Sequence, residues 1–166
     1  INDQMKPTMK YYAFDWDDNL MYMPTKIYLK DEDGKVVGMS TEDFAEYRTE
    51  IGKEPFEYEG HTIVGFDDEA FRDFKVPGDK GFIRDAMTAP TGPAWNDFVE
   101  AINNGSIFAI VTARGHTPTV LKNAIYNLIK KNKHGISEKE LVKNLRKYRE
   151  LADEDDLSDD ELVRVY

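Results

Sequence analysis

Tyr11-Tyr12-Ala13-Phe14-Asp15-Trp16-Asp17-Asp18-Asn19-Leu20 is the stretch whose reading decides the fold. A short apolar, aromatic run passes directly into three carboxylates, Asp15, Asp17 and Asp18. The pattern is that of a buried strand whose last residues project acids into a pocket. Carboxylates this close repel one another, so a cation or a hydrogen-bond donor must offset the cost. Oxygen-rich clusters suit a hard divalent ion such as Mg2+. An acidic turn after a strand is the simpler alternative. Trp16, between two of the acids, points the other way by strand alternation, into the core.

A second run answers the first. Ile107-Phe108-Ala109-Ile110-Val111 is apolar throughout, as in a parallel sheet with helices on both faces, and it leads into Thr112-Ala113-Arg114-Gly115. Between the two runs, Lys26-Ile27-Tyr28-Leu29 and Lys35-Val36-Val37 flank the turn Asp31-Glu32-Asp33-Gly34 and predict a hairpin. Ser40-Thr41-Glu42-Asp43 opens a predicted helix from Phe44 to Ile51. Residues 52–93, rich in Gly, Pro and aromatic residues, read as an irregular insertion with one short strand, Thr62-Ile63-Val64-Gly65-Phe66. A helix is expected from Pro93-Ala94-Trp95 to Asn103, ended by Asn104-Gly105.

Thr117-Pro118 opens the helix after the second run. Val120, Leu121, Ala124, Ile125, Leu128 and Ile129 form one apolar stripe along it. Its basic end (Lys130, Lys131, Lys133, His134) complements the macrodipole. Ser137 and Ser158 each start a further helix by a capping-box pattern. These elements predict an α/β three-layer fold with a Rossmann-like parallel sheet. A flap hairpin and a small insertion lie between its first two core strands. The expected organisation is one core over residues 1–166 with a flap or cap insertion at 21–92.

Composition narrows the function. The chain has 166 residues, 40% of them hydrophobic, which suits one domain with a real core. A formal charge of -10 argues against general nucleic-acid or membrane-surface binding through net charge. A phosphorylated substrate stays compatible, because a local cation reverses the field inside a pocket. No cysteine is present, so disulfides and thiolate chemistry are excluded, and a cytoplasmic location is the expectation. No apolar stretch reaches membrane-spanning length.

The two strand ends carry the chemistry. Ligands of open α/β sheets bind beyond the carboxyl ends of strands. A hydroxyl such as that of Thr112 can donate to a phosphate oxygen there, with backbone N–H groups helping. Two carboxylates two residues apart can divide nucleophilic attack and proton handling. Arg114 and His116 follow in the same loop, where two readings stand equal: contact with substrate, or an Arg114 paired with the acidic surface. Met21, Tyr22, Met23 and Pro24 are expected at the pocket rim.

This combination resembles the haloacid dehalogenase superfamily. The first motif of that family is an apolar strand followed by Asp-x-Asp-x-Thr/Val, and the second is an apolar strand ending in Thr or Ser. Asp15 and Asp17 match the first motif, with Asn19 departing from it and Asp18 standing where Gly is frequent. Residues 107–112 match the second. The resemblance implies an Mg2+-dependent phosphatase. Asp15 is then the nucleophile and a metal ligand. Asp17 is the general acid/base and a metal ligand through its carbonyl, and Thr112 orients the phosphoryl group. Ala113, Arg114 and Asn19 complete the substrate contacts, and a small phosphorylated molecule is the expected substrate.

The third motif (a Lys or Arg) and the fourth (an acidic pair after a strand) have no match after Thr112. Lys122 and Lys143 read as solvated charges, and Asp153-Glu154-Asp155-Asp156 has acids without a strand. The expectation is therefore an N-terminal portion lacking the last catalytic segments. One rival is a non-catalytic phosphate- or metal-binding domain. Another is a receiver-type phosphoacceptor domain using Asp67 or Asp68.

Overall fold

The computed structural model describes residues 10–75, 79–151 and 156–166. In chain order the elements are β1 (Tyr11–Asp15), β2 (Lys26–Asp31), β3 (Val36–Ser40), α1 (Thr41–Tyr47), β4 (Phe56–Tyr58) and β5 (His61–Phe66). A 3-10 turn (Arg72–Phe74), α2 (Asp79–Thr88), α3 (Trp95–Asn103), β6 (Ile107–Val111), α4 (Pro118–Lys130), α5 (Glu138–Leu151) and α6 (Asp159–Val165) follow.

The expected Rossmann-like parallel sheet does not form among the described residues. The larger sheet is four-stranded and antiparallel, in the order β3-β2-β5-β4. Parallel pairing is confined to β1 and β6, from Tyr11 opposite Ile107 to Asp15 opposite Val111. Short connections cause this. Glu59 and Gly60, both at positive φ (47° and 80°), make the two-residue turn that returns β5 against β4. The β2–β3 turn is held by the buried Asp31 carboxylate, which accepts from the Asp33 and Lys35 N–H groups. Strands joined this closely can only pair antiparallel.

The second run is not buried on both faces either. Phe108 and Ile110 pack on the core, whereas Ile107 and Val111 are 56% and 65% exposed. Among the described residues only helices follow β6, so the parallel pair is not extended on that side.

Two cores result. One gathers Phe14, Trp16, Leu20, Phe98, Leu128 and Leu141 between the parallel pair and the later helices. The other gathers Ile27, Leu29, Met39 and Ile63 on the antiparallel sheet. Helices begin where side chains cap them: Ser40 accepts from the Asp43 N–H to start α1, and Ser158 and Glu161 form a full capping box at α6. Pro118 stands at the start of α4. The 52–93 stretch is more regular than its composition suggests, since it holds β4, β5 and α2.

Candidate functional site at the ends of the parallel strands

β1 ends at Asp15, directly opposite Val111, so Asp15 and Thr112 leave neighbouring strands on the same side. The chain then folds back sharply. Leu20 and Met21 donate to the Trp16 carbonyl, and Asp18 donates to that of Met21. Asp18 sits at φ 59°, a left-handed conformation that Asp tolerates better than most residues. The Asn19 side-chain amide closes the turn by donating to the Asp15 carbonyl at 3.0 Å.

Segment 90–94 braces this turn from below. Gly92 donates to the Leu20 carbonyl at 2.7 Å, Ala94 to that of Asn19 at 2.9 Å, and Tyr22 to that of Pro90 at 2.9 Å. A Cβ on Gly92 would fall 2.3 Å from the Asn19 carbonyl oxygen, so only glycine permits the approach.

The three acids meet different fates. The Asp15 side chain is exposed and makes no hydrogen bond or ion pair with any described residue. Asp18 accepts from the Thr41 hydroxyl at 3.0 Å, tying the turn to the start of α1. Burial pushes the Asp18 carboxyl above its ordinary value. The Thr41 hydrogen bond opposes this, and the negative charges of Asp17 and Asp15 add to it. Asp17 is clasped by Arg114: Nε donates to one oxygen at 2.8 Å and Nη2 to the other at 2.6 Å.

The Arg114 side chain is 1% exposed. Its Nη2 also donates to the Thr25 hydroxyl at 2.8 Å, and its guanidinium lies 4.6 Å from the Phe74 ring and 5.0 Å from that of Phe82. It therefore faces the interior and meets the turn after β1 through Asp17. Thr112 is half-buried, its hydroxyl oxygen accepting from the Arg114 N–H at 3.2 Å, and Ala113 is exposed. His116, fully buried, meets Asp79 at 2.7 Å.

Sequence reasoning placed Arg114 near Thr112 but missed Thr25, Asp79 and Phe82. These come from the connection before β2 and from α2, distant in the chain, and no local pattern marks them. At the supposed rim, Met21 and Met23 are buried in the core, and Tyr22 and Pro24 alone face outward. Trp16 is buried as alternation requires, 5.4 Å from Phe82, with its indole N–H unpartnered.

The expected metal-binding cluster is corrected. Among the described residues no group of three or more His, Cys, Asp or Glu side chains is placed to hold a metal ion. Asp17 has both oxygens bonded to Arg114, which leaves Asp15 as the accessible carboxylate. Of the receiver-type acceptors, Asp67 is paired with Arg72 at 2.9 Å, which holds its carboxyl below the ordinary range. The Asp68 side chain is 92% exposed in the turn after β5. Of the candidate fourth motif, Asp153-Glu154-Asp155-Asp156, residues 153–155 lie outside the described residues, and Asp156 accepts from Arg149 at 3.1 Å; Lys122 and Lys143 are exposed. Among the described residues no helix is long and apolar enough to cross a membrane.

Compared with protein-family models, curated proteins and solved structures, the chain matches none.

Proposed function

We propose that the site at the ends of β1 and β6 hydrolyses phosphomonoesters through an aspartyl-phosphate on Asp15. The supporting observation is the exposed Asp15 carboxylate, without a partner among the described residues, on a strand paired in parallel with the one that leads to Thr112. An Asp15 oxygen attacks phosphorus, and the bond from phosphorus to the ester oxygen breaks. The leaving oxygen takes a proton from Asp17, which enters the step protonated on a lone pair that Arg114 leaves free. Asp17 takes one back from the water that releases phosphate from Asp15. Each Asp17 oxygen accepts one bond from Arg114 and keeps a second lone pair for this traffic. The Thr112 oxygen accepts from Arg114 N–H, which leaves its O–H to donate to a phosphoryl oxygen. Asn19 and Ala113, as further substrate contacts, belong to the proposal: Asn19 closes the turn onto the Asp15 carbonyl and Ala113 is exposed after Thr112.

Mg2+ is part of the proposal without a protein-built cluster: it commonly binds through one or two protein oxygens plus water and substrate phosphate. The Asp15 carboxylate and Asp17 carbonyl are the donors in question, and the ion would supply positive charge between two anions that otherwise repel. A small phosphorylated molecule in the cytoplasm is the proposed substrate and setting, in keeping with a chain free of cysteine. A second reading, phosphate binding without turnover, is favoured by the closed Asp17–Arg114 pair.

The test is turnover of p-nitrophenyl phosphate by the full chain, with and without Mg2+. Asp15→Asn is expected to lower kcat by roughly a thousandfold or more. Unchanged turnover would remove Asp15 as nucleophile, and phosphate binding with no turnover in the unsubstituted protein selects the second reading.

A further inference from the structure

The loop from β6 to α4 alternates in burial: Ala113 and Gly115 face out, Arg114 and His116 face in. Both inward side chains enter one pocket floored by Phe82, whose ring is 4.8 Å from the His116 ring and 5.0 Å from the Arg114 guanidinium. His116 Nδ1 lies 2.7 Å from an Asp79 oxygen, and His116 Nε2 lies 3.5 Å from Arg114 Nη1. Asp79 belongs to the first turn of α2, so four side chains link that helix to the end of β1: Asp79, His116, Arg114 and Asp17.

Their chemistry fixes a direction. A carboxylate only accepts, so the proton of a neutral His116 resides on Nδ1 and is donated to Asp79. The Nε2 lone pair then faces a guanidinium, which has only donors. The reverse tautomer would set an N–H against Nη1 and leave Asp79 without a donor. At 3.5 Å the His116–Arg114 contact is long for a hydrogen bond, so it orients rather than binds strongly. Buried charge networks are weak sources of stability compared with apolar packing, which leaves orientation as their physical advantage here.

We infer that His116 and Asp79 are positioning residues: Asp79 sets the His116 tautomer, His116 orients the Arg114 guanidinium, and Arg114 aims Asp17. Neither His116 nor Asp79 touches substrate. The consequence for turnover rests on the hydrolase reading above; the tautomer and the orientation of Arg114 do not.

Two substitutions separate the links. His116→Asn places an amide N–H near Nδ1, keeping the donor to Asp79 and losing the acceptor for Arg114. His116→Gln carries an amide oxygen toward Arg114 and restores that acceptor. With p-nitrophenyl phosphate and the full chain, His116→Asn and Asp79→Asn should lower kcat about 10- to 100-fold with KM within about twofold. His116→Gln should recover most of the loss.

Nitrogen NMR of the unsubstituted protein should show His116 protonated on Nδ1. The Arg114 Nε–H signal should be slow to exchange, persist in His116→Gln and be lost in His116→Asn. A proton on Nε2, or an Arg114 signal and kcat unchanged in both His116→Asn and Asp79→Asn, overturns the inference. If the unsubstituted protein turns nothing over, the hydrolase reading has failed and the NMR results alone decide this one. The tautomer measurement needs no variant, so a misfolded variant does not block the test.

Discussion

Arg114 is anchored by two Asp17 oxygens and the Thr25 hydroxyl between two aromatic rings, with its charge almost wholly removed from water. Breaking such a pair from one side leaves the other charge poorly compensated, at a typical cost of about 3–5 kcal/mol. Arg114→Met should therefore lower the unfolding free energy by an amount in that range, discounted for the partial exposure of Asp17, as read from urea melts. Arg114→Lys should recover only part, because an ammonium cannot span both carboxylate oxygens as the guanidinium fork does. The strand end carrying Asp15 and Asp17 was legible, because an apolar run passes straight into the acids, a pattern that an acidic turn shares. The partner of Asp17 was not: Arg114 stands 97 residues further on, and nothing local distinguishes a clasping arginine from a solvated one.

Among elements, the turn after β1 depends on segment 90–94, and Gly92 is where the two backbones come closest. Gly92→Ala should destabilise by about 1–3 kcal/mol, since a backbone carbonyl cannot move aside as a flexible side chain can. Gly65→Ala is the control: nothing lies within 4 Å of its added Cβ, and its melt should shift by less than about 0.5 kcal/mol. Elements marked by sharp local signals were readable: β1, β6, the β2–β3 hairpin, and the Ser40, Pro118 and Ser158 helix starts. Sheet topology was not. The antiparallel sheet is set by which short turns close, and an apolar run alone does not say whether its second face is covered. Helix α2 escaped notice because Gly81, a poor helix former, lies in its first turn and only Phe82 and Ala86 are buried.

For the molecule as a whole, the last helix is fastened by charge as much as by packing. Asp160 accepts from the Tyr126 hydroxyl at 2.6 Å and from Arg164 at 2.7 Å, with Lys130 at 3.5 Å. The Tyr126 hydrogen bond, then that of Arg164, holds the Asp160 carboxyl at about 2, below its ordinary 3.8. A carboxyl lowered on folding adds stability above its unfolded value, lost as pH falls through the folded one. Thermal midpoints should therefore decline between about pH 4 and pH 2, and Asp160→Asn should flatten that part of the profile. The excess of negative charge makes the chemistry harder to reconcile with an anionic substrate, which is why a cation belongs in the proposal.

The central claim is that Asp15 becomes phosphorylated, and acid-quenched turnover of p-nitrophenyl phosphate followed by peptide mass spectrometry tests it most directly. The account predicts a phosphoryl group on Asp15 in the unsubstituted protein and none in Asp15→Asn. Turnover with the label on Asp17, Asp67 or Asp68, or undiminished in Asp15→Asn, would contradict it.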